Sequence, residues 1–373
     1  MKVKLSDLYD IGSSKRVFQS EWRESGVPFY RAREIAKLSD DGFVDNELFI
    51  DEELYSQYTE KYGKPEAGDV MVTGVGTLGV CYVVKPEDRF YFKDGNILWF
   101  RQKAKDKILP EYLVKVFDSK EVKDFIAKNS SGTTVGTFTI QTAKKMEISL
   151  PSLDEQKKII DKIIRTESII KQRKKELQLL DTLIKARFVE LFGDMTLARN
   201  DWEKVLLCDV CDVRDGTHDS PKYFTEGYPL ITSKNVSGGK IDFSDCNLIC
   251  EEDYNKINQR SKVDVGDILM PMIGTVGKPV IVDSQKKFAI KNVALIKFRE
   301  NSAVVNSFIK ELLESDYFDR EVINKVRGGT QKFISLGDIR KLNICLPPIK
   351  LQNQFAAFVN EIDKSKLKKF SAA

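Results

Sequence analysis

Few residues in this chain have the types and spacing for chemistry, and each has a plainer reading beside the chemical one. Gly74-Val75-Gly76-Thr77-Leu78-Gly79 spells the Gly-x-Gly-x-x-Gly pattern, which holds a pyrophosphate when it opens a helix. Here a β-rich run from Val80 to Val84 follows, and the related stretch Met272-Ile273-Gly274-Thr275-Val276-Gly277 lacks the first glycine. A hairpin turn explains both. Cys208 and Cys211, with Cys246 and Cys250, have the spacing of a four-thiolate zinc site. The knuckle glycines are missing, however, and Cys211 and Cys250 stand at apolar packing positions, where cysteine serves as a small hydrophobe. The single histidine, His218, lies in Arg214-Asp215-Gly216-Thr217-His218-Asp219-Ser220-Pro221. It has no second His or Cys ligand nearby, and it reads equally as a contact to a phosphate or base edge and as part of a solvated turn. Glu155-Gln156-Lys157 echoes a nuclease Glu-x-Lys, but a first-turn glutamate explains it. No P-loop, HExxH or GxSxG occurs, and the one Pro-Pro pair, Pro347-Pro348, lacks the flanking residues of a DNA methyltransferase tetrad. No acid, base and nucleophile assemble, so the residues point to a binding protein without a catalytic set, metal or bound cofactor.

The remaining signal is donor-bearing residues at loop tips. Ser13, Ser14, Lys15 and Arg16 form one group, and Arg31 and Arg33 a second. Thr133 and Thr134 lie in a Gly/Ser/Thr loop, and Thr217 adjoins His218. Lys234 and Asn235 follow Thr232-Ser233, and Thr330, Gln331 and Lys332 follow Gly328-Gly329. Such loops can track phosphates and base edges; taken singly, they read equally as solvated loops.

The elements that would position these loops occur twice. The stretch from Pro151 to Leu191 has no Gly or Pro after Pro151, and apolar residues recur every seven positions at Ile163, Ile170, Leu177, Ile184 and Leu191. That repeat predicts a long helix with a coiled-coil-like seam, roughly 60 Å at ~1.5 Å per residue, and so a spacer or docking rod. On either side of it the same blocks recur in the same order. Residues 3–12 lie over 205–216, 27–35 over 228–236, 48–53 over 248–253, 68–84 over 266–282, 130–136 near 327–333, and 146–156 over 342–352. The offset drifts from 202 at Leu5/Leu207 to 196 at Gln156/Gln352, as short loop insertions would produce. Two β-rich runs joined by a Gly/Thr turn predict a hairpin in each copy, and residues 112–130 and 304–326 have helical spacing. The expected architecture is α+β. Two similar globular domains occupy 1–150 and 193–347, a long coiled-coil-like helix spans 151–192, and a shorter C-terminal helix spans 348–373.

Composition is compatible with this. The chain has 373 residues, 42% hydrophobic and 31% charged, and a net charge of +4 that permits nucleic-acid binding without arguing for it. Six cysteines suit reduced thiols. No apolar run reaches the ~20 residues of a membrane span, and the start is not a signal peptide, so cytoplasmic residence is the default expectation.

Together these blocks resemble the specificity (S) subunits of type I restriction–modification enzymes. The carriers are residues 12–17 and 26–31 in copy one, Asp215 to Pro221 in copy two, the paired Gly-Asp…Gly-Thr-x-Gly hairpins, and the Leu-Pro-x-[Leu/Ile]-x-x-Gln signatures at 150–156 and 346–352. The resemblance covers nearly the whole chain. It implies that each globular copy is a target recognition domain reading half of a split double-stranded DNA sequence. The helices would hold the domains apart and dock methyltransferase (M) subunits, to which endonuclease/translocase (R) subunits add. S-adenosylmethionine, ATP and Mg²⁺ would be used by those partners. The family's second helix usually matches the first in length; here it runs only from about Leu351 to Phe370. That leaves part of the seam for a partner or for self-association, or else Ile184, Phe188 and Leu191 pack onto the adjacent domain. The rivals are a self-contained DNA-modifying enzyme with unrecognised motifs and a coiled-coil adaptor that ignores DNA. Co-purification with a methyltransferase separates the three.

Overall fold

Short apolar or alternating runs bounded by glycine build the strands of both halves. The computed structural model describes residues 2–130, 136–193, 195, 202–237, 239–273, 277–325 and 333–371. The first half contains β1 (Lys2–Lys4), β2 (Tyr9–Gly12), β3 (Val27–Tyr30), β4 (Phe49–Ile50), β5 (Val70–Thr73), β6 (Cys81–Val83), β7 (Tyr91–Phe92), β8 (Ile97–Gln102) and β9 (Glu147–Ser149). They form a four-stranded sheet ordered β2-β8-β5-β6, a three-stranded sheet ordered β4-β3-β7, and the pair β1-β9. The second half contains β10 (Glu203–Leu206), β11 (Asp212–Asp215), β12 (Tyr228–Ile231), β13 (Val236–Ser237), β14 (Lys240–Ile241), β15 (Asn247–Ile249), β16 (Ile268–Pro271), β17 (Val280–Ile281), β18 (Ala289–Ile290), β19 (Val293–Lys297) and β20 (Asn343–Leu346). Their sheets run β11-β19-β16-β17 and β15-β12-β18, with the pair β10-β20. The two topologies are the same strand for strand; the small hairpin β13-β14 is an addition of the second half. Even the pairing senses repeat, with β3-β7 and β12-β18 parallel in otherwise antiparallel sheets.

The glycine-rich motif joins antiparallel β5 and β6, as the hairpin reading expects. A Cβ at Gly74 would sit 2.7 Å from a Leu98 methyl carbon and 2.9 Å from the Phe138 carbonyl oxygen, and Gly76 and Gly79 have φ of +70° and +78°. The glycines are there for backbone reasons. The stretch 112–130 divides into two helices, Pro110–Phe117 and Lys120–Asn129. Ser119 starts the second by accepting from the Val122 amide at 3.3 Å. Ser315 does the same between Asn306–Leu313 and Asp316–Glu321.

The chain divides into two compact units, Met1–Lys171 and Gln172–Ala373, with the division falling inside one continuous helix, Leu153–Phe192. Ser152 and Glu155 begin this spacer helix with reciprocal side-chain-to-backbone bonds of 2.9 and 3.4 Å, which confirms Glu155 as a cap. Gly193, at φ +76°, ends it with its amide on the Val189 carbonyl at 2.8 Å. In the first unit Leu5, Ile11, Phe100, Leu113, Phe117, Phe138 and Ile148 form the main core, joined by Ile160 of the spacer helix. The second unit repeats this with Leu207, Val213, Ile296, Ile309, Ile344 and Phe355. There the spacer helix adds Ile184, Phe188 and Phe192. The terminal helix, Ile349–Ser371, runs antiparallel to this end of the spacer, since Phe355 meets Phe188 at 5.5 Å between ring centroids and Lys366 meets Asp181 at 2.8 Å. Among the described residues no helix is long and apolar enough to cross a membrane.

Candidate nucleic-acid interface

In each unit a strand of the large sheet runs into a loop that carries predicted donors, and the turn after the short parallel strand holds that loop in place. After β2, the Ser13 hydroxyl donates to the Ile97 carbonyl at 2.9 Å and accepts from the Gly95 amide at 3.1 Å. The Ser14 hydroxyl donates to the Phe92 carbonyl at 2.6 Å, and the Lys15 amide donates to the Tyr91 hydroxyl at 3.0 Å. The two serines thus spend their side chains on pinning the loop. Lys15 and Arg16 are left exposed: the Lys15 ammonium lies 5.9 Å from the Tyr62 ring, and Arg16 pairs with Asp94 at 3.1 Å. Phe18, two residues on, is 59% exposed.

The second unit builds the same place with different chemistry. Gly216 lies so close to the chain at Ile290 that a Cβ there would overlap its carbonyl. Thr217 donates its amide to Ile290 at 3.0 Å, and its hydroxyl accepts from the Asp219 amide at 3.1 Å. His218 is exposed, with Nδ1 2.7 Å from Asn292 Oδ1 and Nε2 2.8 Å from Asp215 Oδ2. Asp215 is buried and also pairs with Arg260. A cavity of about 250 Å³ opens beside the loop, lined by Thr217, Ser220, Asp253, Lys256 and Arg260 among others.

Other predicted donors are turned to internal use. Arg31 makes a two-pronged pair with Glu34 at 2.9 and 3.1 Å, and Arg33 bridges Glu34 and Glu47 at 2.9 and 2.8 Å. Burial pushes the Glu34 carboxyl up, but the hydrogen bonds from Arg31 and Arg33 outweigh this and hold it below its ordinary value. Lys234 pairs with Asp245 at 3.3 Å but stays exposed, as Arg16 does. Asn235 is buried: its Oδ1 accepts from the Thr232 amide and hydroxyl, and its Nδ2 donates to the Asp245 carbonyl at 2.9 Å. It shapes the loop from within, which corrects its reading as a surface donor. Thr133, Thr134, Thr330, Gln331 and Lys332 lie outside the described residues.

Two lysines that the sequence reading missed hold equivalent places. Lys93 and Lys291 directly follow β7 and β18, and each donates its amide to the end of the neighbouring parallel strand, to Tyr30 and Ile231. The Lys93 ammonium lies 6.0 Å from the Trp22 ring, and Lys291 donates to the Ser220 hydroxyl at 2.7 Å. The sequence carries the signal as Phe92-Lys93 over Ile290-Lys291.

The apolar row of the spacer helix does not act as one seam. Ile184 is buried in the core of the second unit, and Leu191, half-buried, packs against it. The reason is local: Phe188 stacks on Phe308, and the other contacts of Phe188 and Phe192 with Phe308 and Phe355 are edge-to-face, which draws that turn of the helix inward. Ile163 and Leu177 are half-buried, and Ile170 is 50% exposed beside Ile169 at 56%. The cysteines do not converge either. Cys81, Cys211 and Cys345 are buried, with burial pushing the Cys211 thiol up to about 12. Among the described residues, no group of three or more His, Cys, Asp or Glu side chains is placed to hold a metal.

Comparison with known proteins agrees with this duplicated architecture. The family model of the type I restriction modification DNA specificity domain matches residues 1–179 and again residues 199–370. A Haemophilus influenzae protein named as a type I restriction enzyme specificity subunit is 29% identical over 168 residues, covering 45% of this chain and 40% of the relative. The specificity subunit of the Methanocaldococcus jannaschii type I restriction enzyme MjaIX is 26% identical over 79% of this chain and 71% of its own. That of Escherichia coli EcoBI is 21% identical over 97% of this chain and 79% of its own. The fold matches a type I restriction–modification S subunit from M. genitalium, with a TM-score of 0.55 and 14% identity over 100% of this chain and 92% of that one. It also matches a chain from a study of assembly and conformational transition in a type I system, with a TM-score of 0.62 and 18% identity over the same shares. With the family model covering both halves and the same strand order in each, the chain belongs to the type I restriction–modification specificity subunit family.

Proposed function

We propose that this chain is the DNA-reading, non-catalytic subunit of a type I restriction–modification complex. Each unit reads one half of a split double-stranded target, and the exposed part of the spacer helix docks methyltransferase (M) subunits, to which endonuclease/translocase (R) subunits add. S-adenosylmethionine, ATP and Mg²⁺ belong to those partners. The observation that carries this reading is the repeat itself: two units of identical strand order, each pinning an exposed, donor-bearing loop at the end of the same strand. Lys15, Arg16 and Lys93 in the first unit, and His218, Lys291 and Arg260 in the second, supply donors of the kinds that bind phosphates and base edges. Their chemistry differs between the units, as two different half-sites require. Self-association through the exposed apolar residues of the spacer helix is the alternative to methyltransferase docking, and light scattering on the isolated chain separates the two.

The test is domain exchange. Replacing residues 200–347 with the second recognition domain of another family member, co-expressed with M subunits, is expected to change one half of the methylated sequence and leave the other intact. A change in both halves would show that the units do not read independently. Methylation by the homogeneous chain alone would place catalysis here instead.

A further inference from the structure

Gln156 and Gln352 are buried polar residues to which the DNA-reading surface gives no role. Each ends a Leu-Pro signature and sits in the first turns of its helix, and each is 0% exposed. Gln156 Oε1 accepts from the Leu109 amide at 2.9 Å, while its Nε2 donates to the carbonyls of Lys107 at 2.7 Å and Pro151 at 2.9 Å. Gln352 repeats the pattern: Oε1 accepts from the Val305 amide at 2.9 Å, and Nε2 donates to Ala303 at 3.0 Å and Pro347 at 2.8 Å. A fully buried amide with both donors and its acceptor engaged is a directional tie, and removing it orphans buried backbone groups. In each unit the tie joins the start of the helix to the segment that opens the helix Pro110–Phe117 or Asn306–Leu313.

The two clamps are chemically alike but hold helices with different destinations. The helix held by Gln156 runs on until Ile184, Phe188 and Phe192 enter the core of the second unit. The helix held by Gln352 instead packs back along the end of the spacer helix inside the second unit, with Phe355 5.5 Å from Phe188 between ring centroids and Lys366 2.8 Å from Asp181. We propose that Gln156 is a positioning residue for target spacing: it fixes the direction in which the spacer helix leaves the first unit, and so the number of base pairs allowed between the half-sites. This rests on the split-target reading above.

The experiment selects from a duplex DNA library with randomised half-sites and randomised spacing, using the full chain co-expressed with its methyltransferase subunits, as wild type, Gln156→Ala and Gln352→Ala. Wild type is expected to return one split motif with one gap length. Gln156→Ala should return the same half-site sequences with gaps one base pair shorter and longer also enriched. Discrimination against those gaps should fall by about tenfold, the factor that one or two net hydrogen bonds correspond to. Gln352→Ala, which loses the same three bonds, should keep the single gap. Gln156→Met, which keeps the side-chain volume, replaces the alanine variant if that does not fold. Equal broadening by the two positions would reduce both glutamines to structural roles and overturn the proposal, as would an unchanged single gap in folded Gln156 variants. A wild type that returns no split motif would instead remove the reading on which the proposal rests.

Discussion

Arg31 and Arg33 stand in sequence as free phosphate donors, yet in the fold both close on one buried carboxylate, Glu34. The pair has a pH consequence. Glu34 is held below its ordinary value, so it adds stability above the usual glutamate range, and that stability is lost as pH falls through the depressed value. Glu34→Gln is expected to cost about 1–3 kcal/mol near neutral pH, because two partly exposed arginines lose the charge of a buried partner. The variant should also lose less further stability than wild type on acidification from pH ~5 to ~3. Thermal melts across that range check this, and parallel curves for the two proteins would show that the pair contributes nothing.

At the scale of elements, the spacer helix is two helices in function. Its last turns belong to the second unit's core, where Phe188 lies 5.6 Å from Phe308 and 5.5 Å from Phe355 between ring centroids. Phe188→Ala is expected to cost roughly 3–5 kcal/mol, since the aromatic cluster cannot close over the cavity. Its middle turns expose Ile169 and Ile170. Ile170→Glu should change stability by no more than about 0.5 kcal/mol while weakening recovery of methyltransferase subunits on co-purification. Melting curves and pull-downs on the same two variants check both halves. Normal recruitment by Ile170→Glu would move the docking surface elsewhere.

For the whole molecule, a single continuous helix joins two units that repeat one fold. Seven residues inserted after Lys171 would preserve the heptad phase and lie outside the stretch that Lys366 and Asp181 pair. Such an insertion adds ~10.5 Å, about three base-pair steps, and should lengthen the gap in the methylated target by that amount. An unchanged gap would assign spacing to the partner subunits.

Much of this organisation is legible in the sequence, because it depends on local patterns. Heptad spacing predicts the long helix, glycine and β-rich runs predict the hairpin at 68–84, and repeated blocks in one order predict two like units. The Glu155 cap and the plain reading of the glycine motif follow from the same short-range rules. What local pattern cannot state is where a side chain's polar atoms are spent. Asn235 and Ser14 have the composition of surface donors, yet Asn235 is buried, and the 2.6 Å bond of Ser14 to Phe92 depends on a strand far along the chain. Ile170 and Ile184 hold the same heptad position, and only the second unit's core separates an exposed isoleucine from a buried one. Gln156 reads as one more polar residue of a charged helix. The tertiary fold alone brings Lys107 and Leu109 against it, because the energy of a buried hydrogen bond depends on partners that sequence neighbours do not supply.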